Sequence, residues 1–219
     1  ERHGDDQWDP HASWLAHNNA VFDLAWTQGD AGMLTAAGDQ TVKLWDVERQ
    51  EETRTFRGHS GSVKTLALRP HSQNVVFASG SRDGTIHLWD ERSADNGEGG
   101  ACCKPVATLE DAHAGHSLGS ARKTKSARKR TTPSKTKAGI TSVVFLHDEN
   151  HLASACTADS VLKFWDMRRM DSPALLVTLP SADQAGAKRL HGISDLALDP
   201  RKGRLAVSCS DHSISLLDT

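Results

Sequence analysis

Four residues in the segment 59–89, His59, Ser79, Asp83 and Trp89, are of types that can do chemistry together. A serine, a histidine and an aspartate suggest a hydrolase triad, in which the carboxylate orients the imidazole and the imidazole takes the hydroxyl proton. The same types recur as His17, Thr35, Asp39 and Trp45, and again as His113, Ser154, Asp159 and Trp165, where Ser154 is one residue out of step. An enzyme needs one such site, whereas a constellation written three times answers a need of each repeated unit. The bland alternative is a hydrogen-bonded bracket satisfying buried polar groups, each of which would cost about 1–3 kcal/mol if orphaned.

The elements that must hold these residues show in a repeat. "DQTVKLWDV" at 39–47, "DGTIHLWDE" at 83–91, "DSVLKFWDM" at 159–167 and "DHSISLLDT" at 211–219 begin 44, 76 and 52 residues apart. The first spacing lies in the range of roughly 40–45 residues for a four-stranded propeller blade, and the longer two require insertions. Apolar positions alternate between Gly, Asp, Asn and Pro turns, and no capped stretch with a 3.6-residue period occurs. Each unit is expected to be an outer strand, near 12–17, 51–57, 104–110 and 174–180, then three inner strands, near 20–46, 62–90, 140–166 and 193–218. The fourth unit has Leu217 where the others have Trp, and its His191 stands too close to the next strand, so packing is expected to hold it in place of the polar bracket.

Composition bounds the function classes. The 219 residues are 37% hydrophobic, enough for a core. No run of about 18 apolar residues offers a membrane span and no apolar leader is visible, which points to an intracellular protein. Cys102, Cys103, Cys156 and Cys209 are too few and too irregular for a disulfide framework and are expected to be buried free thiols. Adjacent Cys102 and Cys103, with His113 and His116, lack the spacer that lets two thiolates grip one zinc ion. No metal and no cofactor are expected.

The net charge of −2 hides an asymmetry: residues 114–139 carry eight Lys or Arg and no acidic residue, which leaves −10 on the remainder. This insertion in the third unit has no apolar periodicity and is expected to be disordered. Its "ARKR" fits a nuclear-localisation or nucleic-acid patch, and Thr132, in "TPSK", is a candidate phosphosite whose phosphate would offset part of the positive field.

The GH…WD pattern resembles the WD-repeat β-propeller family, and the resemblance covers nearly the whole chain. It implies an all-β fold with four blades, about 12–48, 51–92, 104–168 and 174–219, and a non-catalytic role. Family propellers generally close with seven blades, so the chain is expected to be part of a larger ring. Arg92 in "WDER" and Arg168 in "WDMR" follow the WD aspartate by two, whereas the first unit has Glu48 there. On extended backbone, side chains two apart point the same way, so Asp90 should hold Arg92, and Asp166 should hold Arg168, ready for bidentate recognition. The pair resembles the WDxR box of cullin-4 RING ubiquitin ligase receptors, which implies that Trp89, Asp90, Arg92, Trp165, Asp166 and Arg168 contact the damage-specific DNA-binding adaptor.

"WLAHNNAVFDLAW" at 14–26, "TAAGDQTVKLWDV" at 35–47, the Lys-rich insertion and "HDENHLASA" before "VLKFWDMR" resemble the denticleless family. That resemblance implies a nuclear substrate receptor presenting cell-cycle and replication-licensing proteins bound to the sliding clamp, PCNA. Such substrates carry a basic degron residue, so acidic or polar acceptors are expected on the face away from Arg92 and Arg168. Arg82, Lys188 and Arg189 lie on that face. A rival expectation is a chromatin or nucleic-acid scaffold acting through the basic loop.

Overall fold

The computed structural model describes residues 12–72, 74–93, 102–113, 137–179, 191–199, 201 and 203–219. Their alternating apolar positions form sixteen strands. The first sheet is built from β1 (Val21–Trp26), β2 (Gly32–Ala37), β3 (Thr41–Asp46) and β4 (Glu51–Arg57), and the second from β5 (Val63–Leu68), β6 (Val76–Ser81) and β7 (Ile86–Asp90). Then come β8 (Cys102–Cys103) and β9 (Ala107–Leu109). The third sheet holds β10 (Ile140–Phe145), β11 (His151–Cys156), β12 (Val161–Asp166) and β13 (Leu175–Thr178), and the fourth holds β14 (Ile193–Leu198), β15 (Arg204–Cys209) and β16 (Ile214–Asp218). No helix among the described residues is long and apolar enough to cross a membrane.

The outer strands do not pair as the sequence units suggest. The turn at 47–50 is short enough to close a hairpin, so β4 folds back on β3, with Asp46 opposite Glu51. In the same way β9 pairs with β7 and β13 with β12. The second, third and fourth sequence units thus donate their first strand to the preceding sheet, and the blades 12–48, 51–92, 104–168 and 174–219 are displaced by one strand from the hydrogen-bonded sheets. The expected outer strand at 12–17 is irregular chain. Unforeseen is β8, which runs parallel to β4 as a fifth strand, Thr55 opposite Cys102, before the chain crosses to edge the second sheet as β9.

Three apolar layers fill the gaps between successive sheets. Leu34, Val42, Phe56, Val63, Phe77 and Trp89 occupy the first; Ile86, Ile140, Val143, Phe145, Leu152 and Trp165 the second; Leu162, Phe164, Ile193, Leu196, Leu205 and Val207 the third. The outermost faces stay bare, with Leu24 and Trp26 on β1 and Ile214 and Leu216 on β16 at least half exposed. Hydrogen bonds also step from sheet to sheet: Asp23 accepts from Leu66 N–H (2.7 Å), Thr65 from Val143 N–H (3.3 Å) and Ser142 from Leu196 N–H (3.2 Å).

Gly80 marks one close approach of this kind, because a Cβ there would stand 2.6 Å from Ile140 Cγ2 and 2.8 Å from Thr65 Cγ2. Gly80→Ala is expected to cost about 1–3 kcal/mol by overpacking the second layer, which chemical denaturation would register. An unchanged midpoint would contradict the close approach.

Candidate functional site

The three polar sets close into one-directional chains. In the second sheet Trp89 Nε1 donates to Ser79 Oγ at 2.8 Å, Ser79 Oγ meets His59 Nε2 at 2.7 Å, and His59 Nδ1 meets Asp83 Oδ2 at 3.2 Å. The first sheet repeats this: Trp45 Nε1 to Thr35 Oγ1 at 2.9 Å, Thr35 Oγ1 to His17 Nε2 at 2.7 Å, and His17 Nδ1 to Asp39 Oδ2 at 2.9 Å. With the indole N–H donating, the network assigns the hydroxyl as donor to Nε2 and the Nδ1–H as donor to the carboxylate.

The third sheet makes a looser version. Trp165 Nε1 donates to Ser154 Oγ at 2.8 Å and Ser154 Oγ meets His113 Nε2 at 3.0 Å, but His113 Nδ1 stands 3.4 Å from Asp159 Oδ1. The cause is the extra residue in the β11–β12 turn. In the other turns the residue after the aspartate adopts positive φ, at Gln40, Gly84 and His212, and Ser160 does not. Cys156 fills the gap, donating to Asp159 Oδ1 at 3.2 Å, and burial pushes its thiol up to about 12. His113, Cys156 and Asp159 are also close enough to hold a metal ion, a cluster the sequence reading did not foresee.

Sequence reasoning missed the partner two residues past each aspartate. Asp39 Oδ1 accepts from the N–H and hydroxyl of Thr41, Asp83 Oδ1 from those of Thr85, and Asp211 Oδ1 from those of Ser213. The recurring D-x-T/S spacing was the available signal. Burial alone would raise Asp83, but bonds from His59 and Thr85 outweigh it and hold the carboxyl far below the ordinary range.

Chemically these chains have the order of a triad without its access. Ser79 is fully buried, and its oxygen already accepts the indole N–H, so it is not placed to attack a substrate. The motif "GHSLG" at 115–119, which matches a nucleophile elbow and which the repeat argument passes over, lies outside the described residues, as do Thr132, Lys188 and Arg189. In the fourth sheet Val207, opposite Ser215, takes the place of the hydroxyl residue, and Leu217 replaces Trp within an apolar cluster. Of the cysteines, Cys103 and Cys156 are buried, but Cys102 is exposed at the β8 edge, against the expectation of buried thiols.

The arginines lie at the other end of the sheets. After β7 the chain enters a single 3₁₀ turn, Glu91–Ser93, which folds Arg92 onto Asp90: Nε to Oδ1 at 3.1 Å and a second guanidinium nitrogen to Oδ2 at 2.7 Å. The Arg92 hydrogen bond holds Asp90 below the ordinary carboxylate range. Arg92 is two-thirds exposed. Arg168 is exposed as well, but only its backbone N–H reaches Asp166, at 2.9 Å. The expected ion pair is absent there, and because the backbone turns at once after both aspartates, with Arg169 N–H bonding Asp166 C=O in this case, the extended geometry assumed for both pairs holds for neither. Trp89 and Trp165, expected to touch an adaptor, are buried in the tetrads and offer it no surface.

At the end that carries the His59 loop the four sheets surround a concavity of about 610 Å³ lined by Lys64, Arg82 and Lys137, with Phe22 and several hydroxyls. Acidic or polar acceptors were expected on this face, and among the described residues this mouth offers the hydroxyls of Thr141, Thr157 and Ser194 but no carboxylate.

The WD domain, G-beta repeat family model matches residues 8–46, 50–90 and 127–166. Denticleless protein homologs of Mus musculus and Homo sapiens are 37% and 36% identical over 210 residues, and Protein lethal(2)denticleless of Drosophila melanogaster is 32% identical over 208. These alignments cover 90–94% of this chain but only 26–28% of the relatives, so the chain spans under a third of their length. With four sheets fanned about a common mouth and three indole-to-carboxylate chains between them, the chain belongs to the WD-domain, G-beta repeat family, and the relatives it aligns with are Denticleless proteins.

Proposed function

We propose that the chain is the substrate-recognition part of a cullin-4 RING ubiquitin ligase. In this reading Asp90 and Arg92, with Asp166 and Arg168, dock the damage-specific DNA-binding adaptor, while the opposite face presents clamp-bound cell-cycle and replication-licensing proteins in the nucleus. The chain supplies binding surfaces, and the transfer chemistry belongs to the ligase. The observation that carries the reading is Arg92: exposed, yet held by two hydrogen bonds to one carboxylate, with Arg168 at the matching position of the next sheet. A guanidinium fixed before contact loses less freedom on binding, and such an arginine is a common interface anchor.

Co-precipitation of the adaptor tests this. Arg92→Ala is expected to reduce recovery strongly, a hot-spot effect, and Arg168→Ala to reduce it less, because Arg168 is not clamped. Wild-type recovery by the double variant overturns the proposal.

A further inference from the structure

Each first inner strand carries one residue more than its partner. The ladder skips Phe22 between Val21 and Asp23, Lys64 between Val63 and Thr65, Thr141 between Ile140 and Ser142, and Ser194 between Ile193 and Asp195. A bulge re-aims the side chain it frees, and bulges gather beside functional sites. Here all four freed side chains line the same concavity. Four sheets repeating one irregularity around one space is a built feature.

The chemistry of that space is one-sided. Lys64, Arg82 and Lys137 supply three cations, and Thr141, Thr157 and Ser194 supply hydroxyl donors. Among the described residues no carboxylate lies within ion-pairing distance of Lys64 or Arg82, and Lys137 has only Asp111 at 4.0 Å. Lys64 is held in place by the Phe22 ring, its ammonium 3.0 Å from the ring centroid. Burial and the neighbouring Arg82 charge depress its affinity for a proton, a cost that an incoming anion would relieve.

We propose that this mouth binds the phosphate of a phosphorylated serine or threonine in a partner peptide. A phosphoryl group brings about −1.5 to −2 charges and three acceptor oxygens to one point, matching converging cations and hydroxyls better than a single carboxylate does. A cavity of about 610 Å³ holds such a side chain with its flanking residues. Nucleic acid fits less well, because its phosphates are strung singly along a strand and are met by a stripe of cations, whereas these converge on a pocket. The proposal is independent of the adaptor, since Arg92 and Arg168 stand at the other end of the sheets.

Titration calorimetry on the full chain tests it, using a short alanine-glycine peptide with one phosphothreonine, its unphosphorylated twin, and a short oligothymidylate. The phosphopeptide is expected to bind at least roughly tenfold more tightly than its twin, and inorganic phosphate to compete with it. Lys64→Gln with Arg82→Gln should remove at least about tenfold of that affinity, and Arg92→Ala none. Arg82→Gln alone changes an exposed turn residue and keeps the test valid if the double variant unfolds. Equal binding of the two peptides, phosphopeptide binding that survives both substitutions, or tighter, Lys64- and Arg82-dependent binding of the oligonucleotide each overturns the proposal.

Discussion

Trp89→Ala is expected to remove about 4 kcal/mol of folding stability. Its side chain is fully buried and packs on Phe56 (5.6 Å between ring centroids, edge-on) and Phe77 (6.0 Å, stacked), so truncation opens a cavity between the first two sheets. It also leaves Ser79 Oγ without the N–H that feeds the chain to His59 and Asp83. Domains of this kind have about 5–15 kcal/mol in all, so the loss is a large share. Trp89→Phe separates the two causes: it keeps most of the ring and loses the donor, for about 1–2 kcal/mol. Urea denaturation read by circular dichroism measures both. A cost under about 1 kcal/mol for Trp89→Ala would contradict the packing described.

The second large effect is acid sensitivity. His87 is buried against His59, their rings stacked 4.0 Å apart, and burial above all pushes His87 down to about 4. Above pH 6.5 His87 is neutral in both folded and unfolded chains and contributes no pH dependence. Between 6.5 and 4 the unfolded chain takes a proton that the folded chain refuses, so stability falls with pH, by about 3 kcal/mol across the window at most. Asp83 has the opposite ionisation and the same consequence. Its depressed carboxyl stabilises the fold above the unfolded value near 4, and that stability is lost as pH falls further. His87→Gln should flatten the upper part of the curve and leave the lower part. The measurement is denaturation midpoint against pH for both proteins, and an unchanged slope between 6.5 and 4 would remove His87 from the account.

The three inner strands of each unit were legible because the WD aspartate and its tryptophan fix the last strand and the turn before it. The tetrads were legible for the same reason, being anchored to those landmarks. The assignment of outer strands was not, since a strand's partner is decided by the hairpin that precedes it, which the repeat pattern does not mark. The bulges left a trace that strict alternation hides. Val63 and Leu66, Ile140 and Val143, and Ile193 and Leu196 are buried pairs three residues apart, a spacing that a flat strand cannot put on one face. The difference between Arg92 and Arg168 was invisible because the two WDxR boxes read alike and both backbones turn after the aspartate, so it lies in the side chains alone. The positive mouth was hidden for another reason: Lys64, Arg82 and Lys137 lie far apart in sequence and meet only through the fan of sheets.

Strand donation from the second, third and fourth units to the preceding sheet separates what is inherited from what folds. A gene segment encoding one unit specifies the rim of one blade and the heart of the next. Gain or loss of a whole segment therefore leaves every interior blade complete, and the lineage can change its blade count without inventing a new edge.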